Sequence, residues 1–331
     1  MIANSMRAAL LDGLEAAFEV AVIPRPIAGP GEVLVRIVAS GVNPLDVKIR
    51  AGAAPHARHP LPAILGMDLA GIVQSVGEGV DALLPGDEVY GMTGGVGGLQ
   101  GSLAEYAAVD AALLALKPVN LTMREAAALP LVFITAWEGL VDRAHVQAGQ
   151  SVLVQGAAGG VGHIAVQIAH ALGAKVYGVD AASRAPFLSR LGATPIDREE
   201  RVETYVDRFT EGNGFDVVYD CVGGAVLDAS FKAVAQFGHV VSSLGWGTHA
   251  LAPLSFKAAS FSGVFALSPL LNGRGRAHHG EILREATRMV ESGELVPNVD
   301  PHRFDLGTVD EAHAAIASRS AKGKIVIDIA A

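Results

Sequence analysis

The stretch VLVQGAAGGVGHIAVQIA, residues 152–169, joins an apolar run to a helical pattern through a loop that contains four glycines. The apolar run predicts a buried strand, and apolar residues spaced three and four apart from Val161 onward predict a helix with one buried face. His163, Gln167 and His170 fall on the opposite face of this helix, which we expect to face solvent. The stretch therefore predicts a strand, a tight glycine turn and a helix.

A strand, a glycine turn and a helix start form an anion site, because backbone N–H groups and the positive end of the helix dipole point at the ligand. The pattern is Ala157-x-Gly159-x-x-Gly162, with alanine where the dinucleotide fingerprint usually begins with glycine. An acid, Asp180, ends the next predicted strand, at about the 20-residue distance that the fingerprint requires. We therefore predict that the pyrophosphate of a dinucleotide binds the loop residues Ala157, Ala158, Gly159, Gly160, Val161 and Gly162.

The residues after the second predicted strand leave the choice between NADPH and NADH open. The carboxylate of Asp180 can accept hydrogen bonds from the ribose hydroxyls of NADH and would repel a 2′-phosphate. Ser183 and Arg184 follow closely, where they can hold the 2′-phosphate of NADPH. We expect all three residues to contact the cofactor.

The sequence pattern changes near residue 150. Before it, short strand-like runs are punctuated by proline and glycine; after it, short apolar runs alternate with helical patterns. Strands that alternate with helices predict a parallel sheet with helices on both faces. The fold class is therefore α/β, with a β-rich domain and a doubly wound parallel-sheet domain.

Composition excludes several classes of protein. A net charge of −9 argues against a nucleic-acid or anionic-membrane partner, and a single cysteine, Cys221, excludes a disulfide framework. No apolar run reaches the ~18 residues of a membrane span, and the N-terminus lacks the pattern of a secretory signal. We expect a cytoplasmic protein with a small-molecule substrate.

Four motifs in order carry a resemblance to a known family. With them the chain resembles the medium-chain dehydrogenase/reductase superfamily, and most of all its zinc-free quinone oxidoreductase branch. The resemblance implies a GroES-like catalytic domain over 1–127 and 270–331, a Rossmann domain over 128–269, and a homodimer. The motifs are NPLDVKIRAG (43–52), LPAILGMDLAGIV (61–73), PLVFITAWEGL (130–140) and GAAGGVG (156–162).

The zinc relatives in this superfamily carry a cysteine ligand in the first motif and a histidine ligand in the second. Here Asn43 and Met67 stand at those positions, so we expect no metal site. Without a metal, the expected chemistry is hydride transfer to an electron-poor acceptor, a quinone or an α,β-unsaturated carbonyl compound.

Three polar residues of the first motif are candidate catalytic residues. Asn43 can donate an amide N–H to the substrate oxygen, or it is only a turn residue. Lys48, where many quinone reductases carry tyrosine, can donate to the developing enolate, or it is a solvated lysine. Asp46 either orients Lys48 or caps a turn. The resemblance adds further cofactor contacts: Thr135, Val222, Gly223, Ser243, Leu244 and Gly245.

Two alternatives stay open at the level of sequence. One is an enoyl-thioester reductase of the same superfamily. The other is a non-catalytic NAD(P)H-binding protein with a structural or regulatory role.

Overall fold

The computed structural model describes residues 4–329, which form two compact units. The first unit contains the residues up to Leu131 together with those from Leu267 onward, and the second unit is Val132–Ala266. The sequence analysis predicted the domain divisions after residues 127 and 269.

The strands of the described chain follow in chain order. They are β1 (Ser5–Leu11), β2 (Glu19–Pro24), β3 (Glu32–Gly41), β4 (Ala63–Ile64), β5 (Asp68–Val76), β6 (Glu88–Met92), β7 (Tyr106–Asp110), β8 (Leu114–Leu116), β9 (Ser151–Gln155), β10 (Lys175–Asp180), β11 (Thr194–Asp197), β12 (Phe215–Asp220), β13 (Val234–Ser242), β14 (Ser260–Gly263), β15 (Phe304–Asp305) and β16 (Val326–Asp328).

The α-helices are α1 (Pro44–Arg50), α2 (Met123–Ala127), α3 (Pro130–Trp137), α4 (Gly160–Ala171), α5 (Ala185–Arg190), α6 (Val202–Thr210), α7 (Ala225–Ala233), α8 (Ala252–Lys257), α9 (Ser268–Asn272), α10 (Arg276–Glu291) and α11 (Val309–Ala317). Short 3-10 helices lie at Pro55–Ala57, Ala111–Leu113, Ala182–Arg184 and Leu306–Thr308, and α3 continues into a π-helical segment at Glu138–Arg143.

The first unit is β-rich. Its larger sheet has the order β15-β16-β3-β5-β6-β8, and β7 also pairs with β3. A smaller sheet has the order β2-β1-β4. The long strand β3 pairs antiparallel with β5, and α1 follows β3 directly. The sequence analysis expected a β-rich domain in this part of the chain, and the two sheets agree with that expectation.

The second unit is built on one parallel sheet with the order β11-β10-β9-β12-β13-β14. Counted from β9, this is the doubly wound order in which the chain reverses direction between β9 and β12. Gln155, at the end of β9, pairs in register with Val179 on one side and with Asp220 on the other. The strands therefore end together at one edge, which is where ligands bind such sheets.

Helix α4 packs more deeply than the sequence pattern predicted. His163 and Gln167 are buried, and of the three polar residues only His170 is exposed. The His163 ring accepts or donates a hydrogen bond at the Gly159 carbonyl, and the Gln167 amide donates to the His163 carbonyl. The prediction that all three face solvent is wrong for two of them, because the outer face of α4 is itself covered and Phe187 lies near the His163 ring.

Candidate active site

The glycine loop of the second unit connects β9 to α4 and is too tightly packed for side chains. A Cβ on Gly162 would lie 2.1 Å from the carbonyl oxygen of Gly156. Gly159 caps α4 without a side chain, so no side-chain oxygen satisfies the first turn. The first N–H groups of a helix have no intrahelical acceptor, and here they belong to residues 160–162. The loop thus presents a cradle of backbone donors at a helix N-terminus.

Asp180, the last residue of β10, binds this loop directly. Its Oδ2 accepts the backbone N–H of Ala158 at 2.8 Å, and its Oδ1 accepts that of Ala181 at 2.8 Å. The N–H of Ala158, predicted to bind pyrophosphate, is therefore already held by a carboxylate of the chain. Ser183 and Arg184 are exposed in the 3-10 turn that follows.

The loops after β12 and β13 are held by a buried acid that the sequence analysis did not single out. Asp220 accepts the backbone N–H groups of Val222 and Gly223, and the hydroxyl of Ser242 donates to it at 2.7 Å. A Cβ on Gly223 would lie 2.5 Å from the Leu244 carbonyl, so the two loops touch there. The predicted contact residues of both loops, Val222, Gly223, Ser243, Leu244 and Gly245, are thereby brought together at one edge of the sheet.

Two further residues of the second unit were named from the sequence. Thr135 lies buried in α3, and its carbonyl accepts the hydroxyl of Tyr219 at 2.7 Å. Burial raises the pKa of the Cys221 thiol well above its ordinary value, and the charge of Asp220 adds to this. Cys221 is therefore a protonated thiol at neutral pH and no nucleophile.

The first unit contains a buried group of polar side chains, which we call the polar cluster: Asn43, Asp46, Asp68 and Lys324. Asp46 Oδ2 accepts the backbone N–H of Asn43 at 2.7 Å, and Oδ1 accepts that of Gly66 at 3.2 Å. Asp46 thus caps the start of α1. Burial, together with the nearby charge of Asp68, raises its pKa to about 7 against the opposing effect of its hydrogen bond from the Asn43 backbone.

Asp68 and Lys324 complete the cluster, and sequence analysis missed both. The amide Nδ2 of Asn43 donates to Asp68 Oδ2 at 2.9 Å, and the Lys324 ammonium donates to Asn43 Oδ1. The ammonium also lies 3.4 Å from Asp68 Oδ2. Burial raises the pKa of Asp68 and lowers that of Lys324, while their mutual attraction opposes both shifts.

Lys48 is placed apart from the polar cluster. Its side chain is exposed on α1, whereas Asp46 on the same helix is buried and engaged with backbone N–H groups. Residues two apart on a helix do not face each other. Two roles were considered for Asp46. The prediction that it orients Lys48 is therefore wrong, and the geometry shows that it caps the start of α1.

Comparison with known proteins identifies the family. The chain matches the alcohol dehydrogenase GroES-like domain over residues 29–119 and the zinc-binding dehydrogenase family over residues 191–327. A 2-methylene-furan-3-one reductase from Solanum lycopersicum is 39% identical over 305 residues, which cover 89% of this chain and 71% of that protein. This chain belongs to the medium-chain dehydrogenase/reductase superfamily.

Two more members of the superfamily support the assignment. An NADPH-dependent alkenal/one oxidoreductase, chloroplastic, from Arabidopsis thaliana is 37% identical over 305 residues, covering 89% of this chain and 72% of that protein. A crystal structure of an alcohol dehydrogenase superfamily protein from Novosphingobium aromaticivorans is 57% identical with a TM-score of 0.97, covering 98% of this chain and 100% of that chain. The expected branch, the quinone and enone oxidoreductases, is confirmed, and this member of it is an enzyme rather than a non-catalytic binding protein.

The cofactor of this oxidoreductase is NADPH or NADH, and the second unit fits it. Helix α4 begins at Gly160 with no side-chain cap, so the N–H groups of residues 160–162 are donors of the kind that can bind a pyrophosphate. Asp180, Ser183 and Arg184 lie at the carboxyl end of β10, where the adenosine ribose binds in folds of this kind.

Zinc, which one of the matched family names implies, does not fit the residues here. An amide and a thioether stand where relatives have a cysteine and a histidine, and the ammonium of Lys324 lies against the oxygens of Asn43 and Asp68. Across residues 4–329, no three His, Cys, Asp or Glu side chains are grouped so that they could hold a metal ion. Within the same range, no helix has both the length and the apolar character needed to span a membrane.

Proposed function

We propose that this enzyme uses NADPH or NADH to reduce the carbon–carbon double bond of α,β-unsaturated carbonyl compounds, without a metal ion, and that quinones are further acceptors. The observation that carries the proposal is the combination of two features. Relatives named for enone substrates match 89% of the chain, and the two zinc-ligand positions hold Asn43 and Met67.

The reduced nicotinamide supplies a hydride to the β-carbon when it is bound, and a proton must then reach the α-carbon. The chain has to polarise the carbonyl as negative charge develops on its oxygen. Lys48 is the candidate for this role, because its side chain is exposed on α1, whereas Asp46 on the same helix is buried. Asn43 is only 1% exposed and binds Asp68 and Lys324, so its donation to substrate stays a prediction.

The function is tested with purified enzyme, NADPH or NADH, and four acceptors: an aliphatic enone, a quinone, an enoyl thioester and a saturated aldehyde. We expect oxidation of the cofactor with the enone and the quinone, and formation of the saturated ketone from the enone. Cofactor deuterated at the transferred position should deliver its label to the β-carbon, and a chelator should not change the rate. An allylic alcohol as product, or loss of activity with the chelator, would contradict the proposal. Turnover confined to the thioester would support the enoyl-thioester alternative instead.

We further propose that the enzyme is a cytoplasmic homodimer. The dimer is supported by β14, an edge strand that pairs with β13 only among the described strands. Exposed aromatic side chains lie on and near this edge: Trp246, Phe261 and Phe265. An unpaired, apolar strand edge favours pairing with another chain. Light scattering on the wild type and on a Phe261→Glu variant tests this, with a dimer expected only for the wild type; a wild-type monomer at micromolar concentration would refute it.

A further inference from the structure

Tyr219 is a fully buried tyrosine near the end of β12, and its hydroxyl joins two other elements of the second unit. The hydroxyl donates to the backbone carbonyl of Thr135 in α3 at 2.7 Å. Burial raises the pKa of Tyr219 well above its ordinary value, and a hydrogen bond from the Ser243 side chain opposes this rise. Tyr219 therefore keeps its proton at neutral pH, and one oxygen atom links α3 to the loop after β13.

The ring of Tyr219 lies against bare backbone in the π-helical segment that continues α3. A Cβ on Gly139 would lie 2.8 Å from the ring carbon Cζ, closer than carbon atoms pack in proteins. The wide helical turn is present at the same glycine, whose carbonyl accepts the N–H of Ala144 at 3.0 Å. Single π-helical turns are frequent at functional sites. The glycine thus makes room for the ring, and the hydroxyl reaches Thr135.

The order of the strands indicates which half of the dinucleotide lies near Tyr219. We predict that the adenosine ribose lies at the end of β10 and the pyrophosphate at the loop after β9. A dinucleotide crosses such a sheet where the strand order reverses, so its other half should extend over the ends of β12 and β13. Ser243 follows β13, and its backbone N–H donates to the Asp220 carbonyl at the end of β12 at 3.1 Å. We therefore expect the nicotinamide half near Ser243 and Thr135.

We propose that Tyr219 is a positioning residue, whose hydroxyl holds Thr135 and Ser243 in place at the nicotinamide end of the cofactor and so sets the orientation of the ring that gives up the hydride. A misplacement of about 1 Å between reacting groups can cost ~10²-fold in rate. Such a residue acts on the reacting end of the cofactor and leaves binding of the adenosine end unchanged. The inference rests on the proposed function in that hydride leaves the nicotinamide, and it holds whichever acceptor is reduced.

The test compares the wild type with Tyr219→Phe, which keeps the ring and removes the hydroxyl. The matched control is Tyr205→Phe, because Tyr205 is also buried in the second unit and its hydroxyl accepts the Gln155 amide at 3.4 Å. Single-turnover hydride transfer from NADPH or NADH should fall about tenfold or more in Tyr219→Phe and stay unchanged in Tyr205→Phe. ADP-ribose, which lacks the nicotinamide, should bind all three proteins with the same dissociation constant.

A second measurement needs no acceptor. The fluorescence of the bound reduced nicotinamide depends on its surroundings, so its emission maximum and lifetime should change in Tyr219→Phe and match the wild type in Tyr205→Phe. This measurement separates the inference from the proposed function. If none of the four acceptors were reduced, the proposed function would fail, while the fluorescence would still test the role of Tyr219.

Three results would overturn the proposal. The first is a Tyr219→Phe variant whose hydride-transfer rate or nicotinamide fluorescence matches the wild type. The second is ADP-ribose binding that weakens in this variant as much as the rate falls, since the hydroxyl would then support the whole unit. The third is an equal effect in Tyr205→Phe. If Tyr219→Phe does not fold, Gly139→Ala displaces the same ring and retains the hydroxyl. It should lower the rate and change the fluorescence, and unchanged values would equally reject the proposal.

Discussion

The backbone N–H of Ala158 in the glycine loop donates to a carboxylate oxygen of Asp180 at 2.8 Å. Asp180 therefore has two roles at once: it anchors the loop that we predict to bind pyrophosphate, and it places a negative charge at the end of β10. Asp180→Asn keeps an oxygen for Ala158 and removes the charge. Because a like-charge contact with a 2′-phosphate costs at least ~1 kcal/mol, the ratio of kcat/KM for NADPH over NADH should rise about fivefold or more.

The matched control is Asp197→Asn. Asp197 ends β11 and pairs in register with Asp180. The variant Asp197→Asn therefore removes one negative charge from the same edge of the sheet, one strand further out. We expect the cofactor ratio of this variant to change less than that of Asp180→Asn, because the Asp197 carboxylate accepts the backbone N–H of Glu199 and not that of Ala158 in the glycine loop. Equal shifts in both variants would mean that net charge, and not a contact of Asp180, sets the preference.

Gly162 and Gly160 provide a second matched pair within the first turn of α4. A Cβ on Gly162 would lie 2.1 Å from the Gly156 carbonyl oxygen, whereas a Cβ on Gly160 would meet nothing nearer than 3.4 Å. Overpacking of this kind costs about 1–3 kcal/mol, so Gly162→Ala should lower the free energy of unfolding by that amount and weaken cofactor binding. Gly160→Ala should unfold like the wild type in urea. Equal stability of the two variants would show that the loop can relax around an added methyl group.

The features that were predictable from the sequence are local ones. The glycine loop between β9 and α4 was visible because strand, turn and helix follow one another within residues 152–169. The burial of His163 was not visible, because helical periodicity reports one buried face and cannot show that a neighbouring element covers the other. The sequence thus predicted the strands, the helices and the parallel sheet correctly. It did not predict which helices and strands contact each other.

The polar cluster shows why the rest of the site escaped prediction. Asn43 and Lys324 are 281 positions apart, and the pairing of β16 with β3 helps to bring the two segments together. One signal was present: Asp68 lies inside an otherwise apolar run and Lys324 directly precedes one, and a buried charge needs a partner. The sequence does not show which partner each one takes.

His313 in α11 makes the stability of the first unit sensitive to acid. It is 2% exposed, and within the described chain its ring nitrogens have no hydrogen-bond partner, although the ring contacts Phe18. Burial and, to a smaller extent, the charge of Arg50 lower its pKa to about 4, and Asp310 opposes the change. The unfolded chain therefore binds a proton below pH ~6.5 that the folded chain does not take up until about pH 4.

This contribution to stability is complete above pH ~6.5 and is lost as the pH falls towards 4. Between pH 8 and pH 5 the loss amounts to about 2 kcal/mol from this group alone. Urea unfolding of His313→Leu should show a smaller decrease over that range by about this amount, whereas the exposed His170→Leu should behave like the wild type. An unchanged decrease in His313→Leu would mean that the ring takes up a proton in the folded state near its ordinary pKa.

Lys48 is the residue of α1 on which the proposed chemistry depends most directly. Its side chain is exposed, so it is free of the hydrogen bonds that hold Asp46, and it lies in the unit that does not contain the glycine loop. Lys48→Met keeps the length of the side chain and removes the donor. Loss of one preorganised donor lowers kcat by about 10–10³-fold, and we expect this for enone reduction in single-turnover measurements. A quinone, which forms a more stable anion, should be affected less.

Binding of NADPH and NADH should be unchanged in Lys48→Met. The control is Lys175→Met, which changes an exposed lysine at the far end of β10 from Asp180. It should alter neither the rate of enone reduction nor cofactor binding. Normal hydride transfer in Lys48→Met would make Lys48 a solvated surface residue, and weaker cofactor binding with a normal rate would assign it to the dinucleotide.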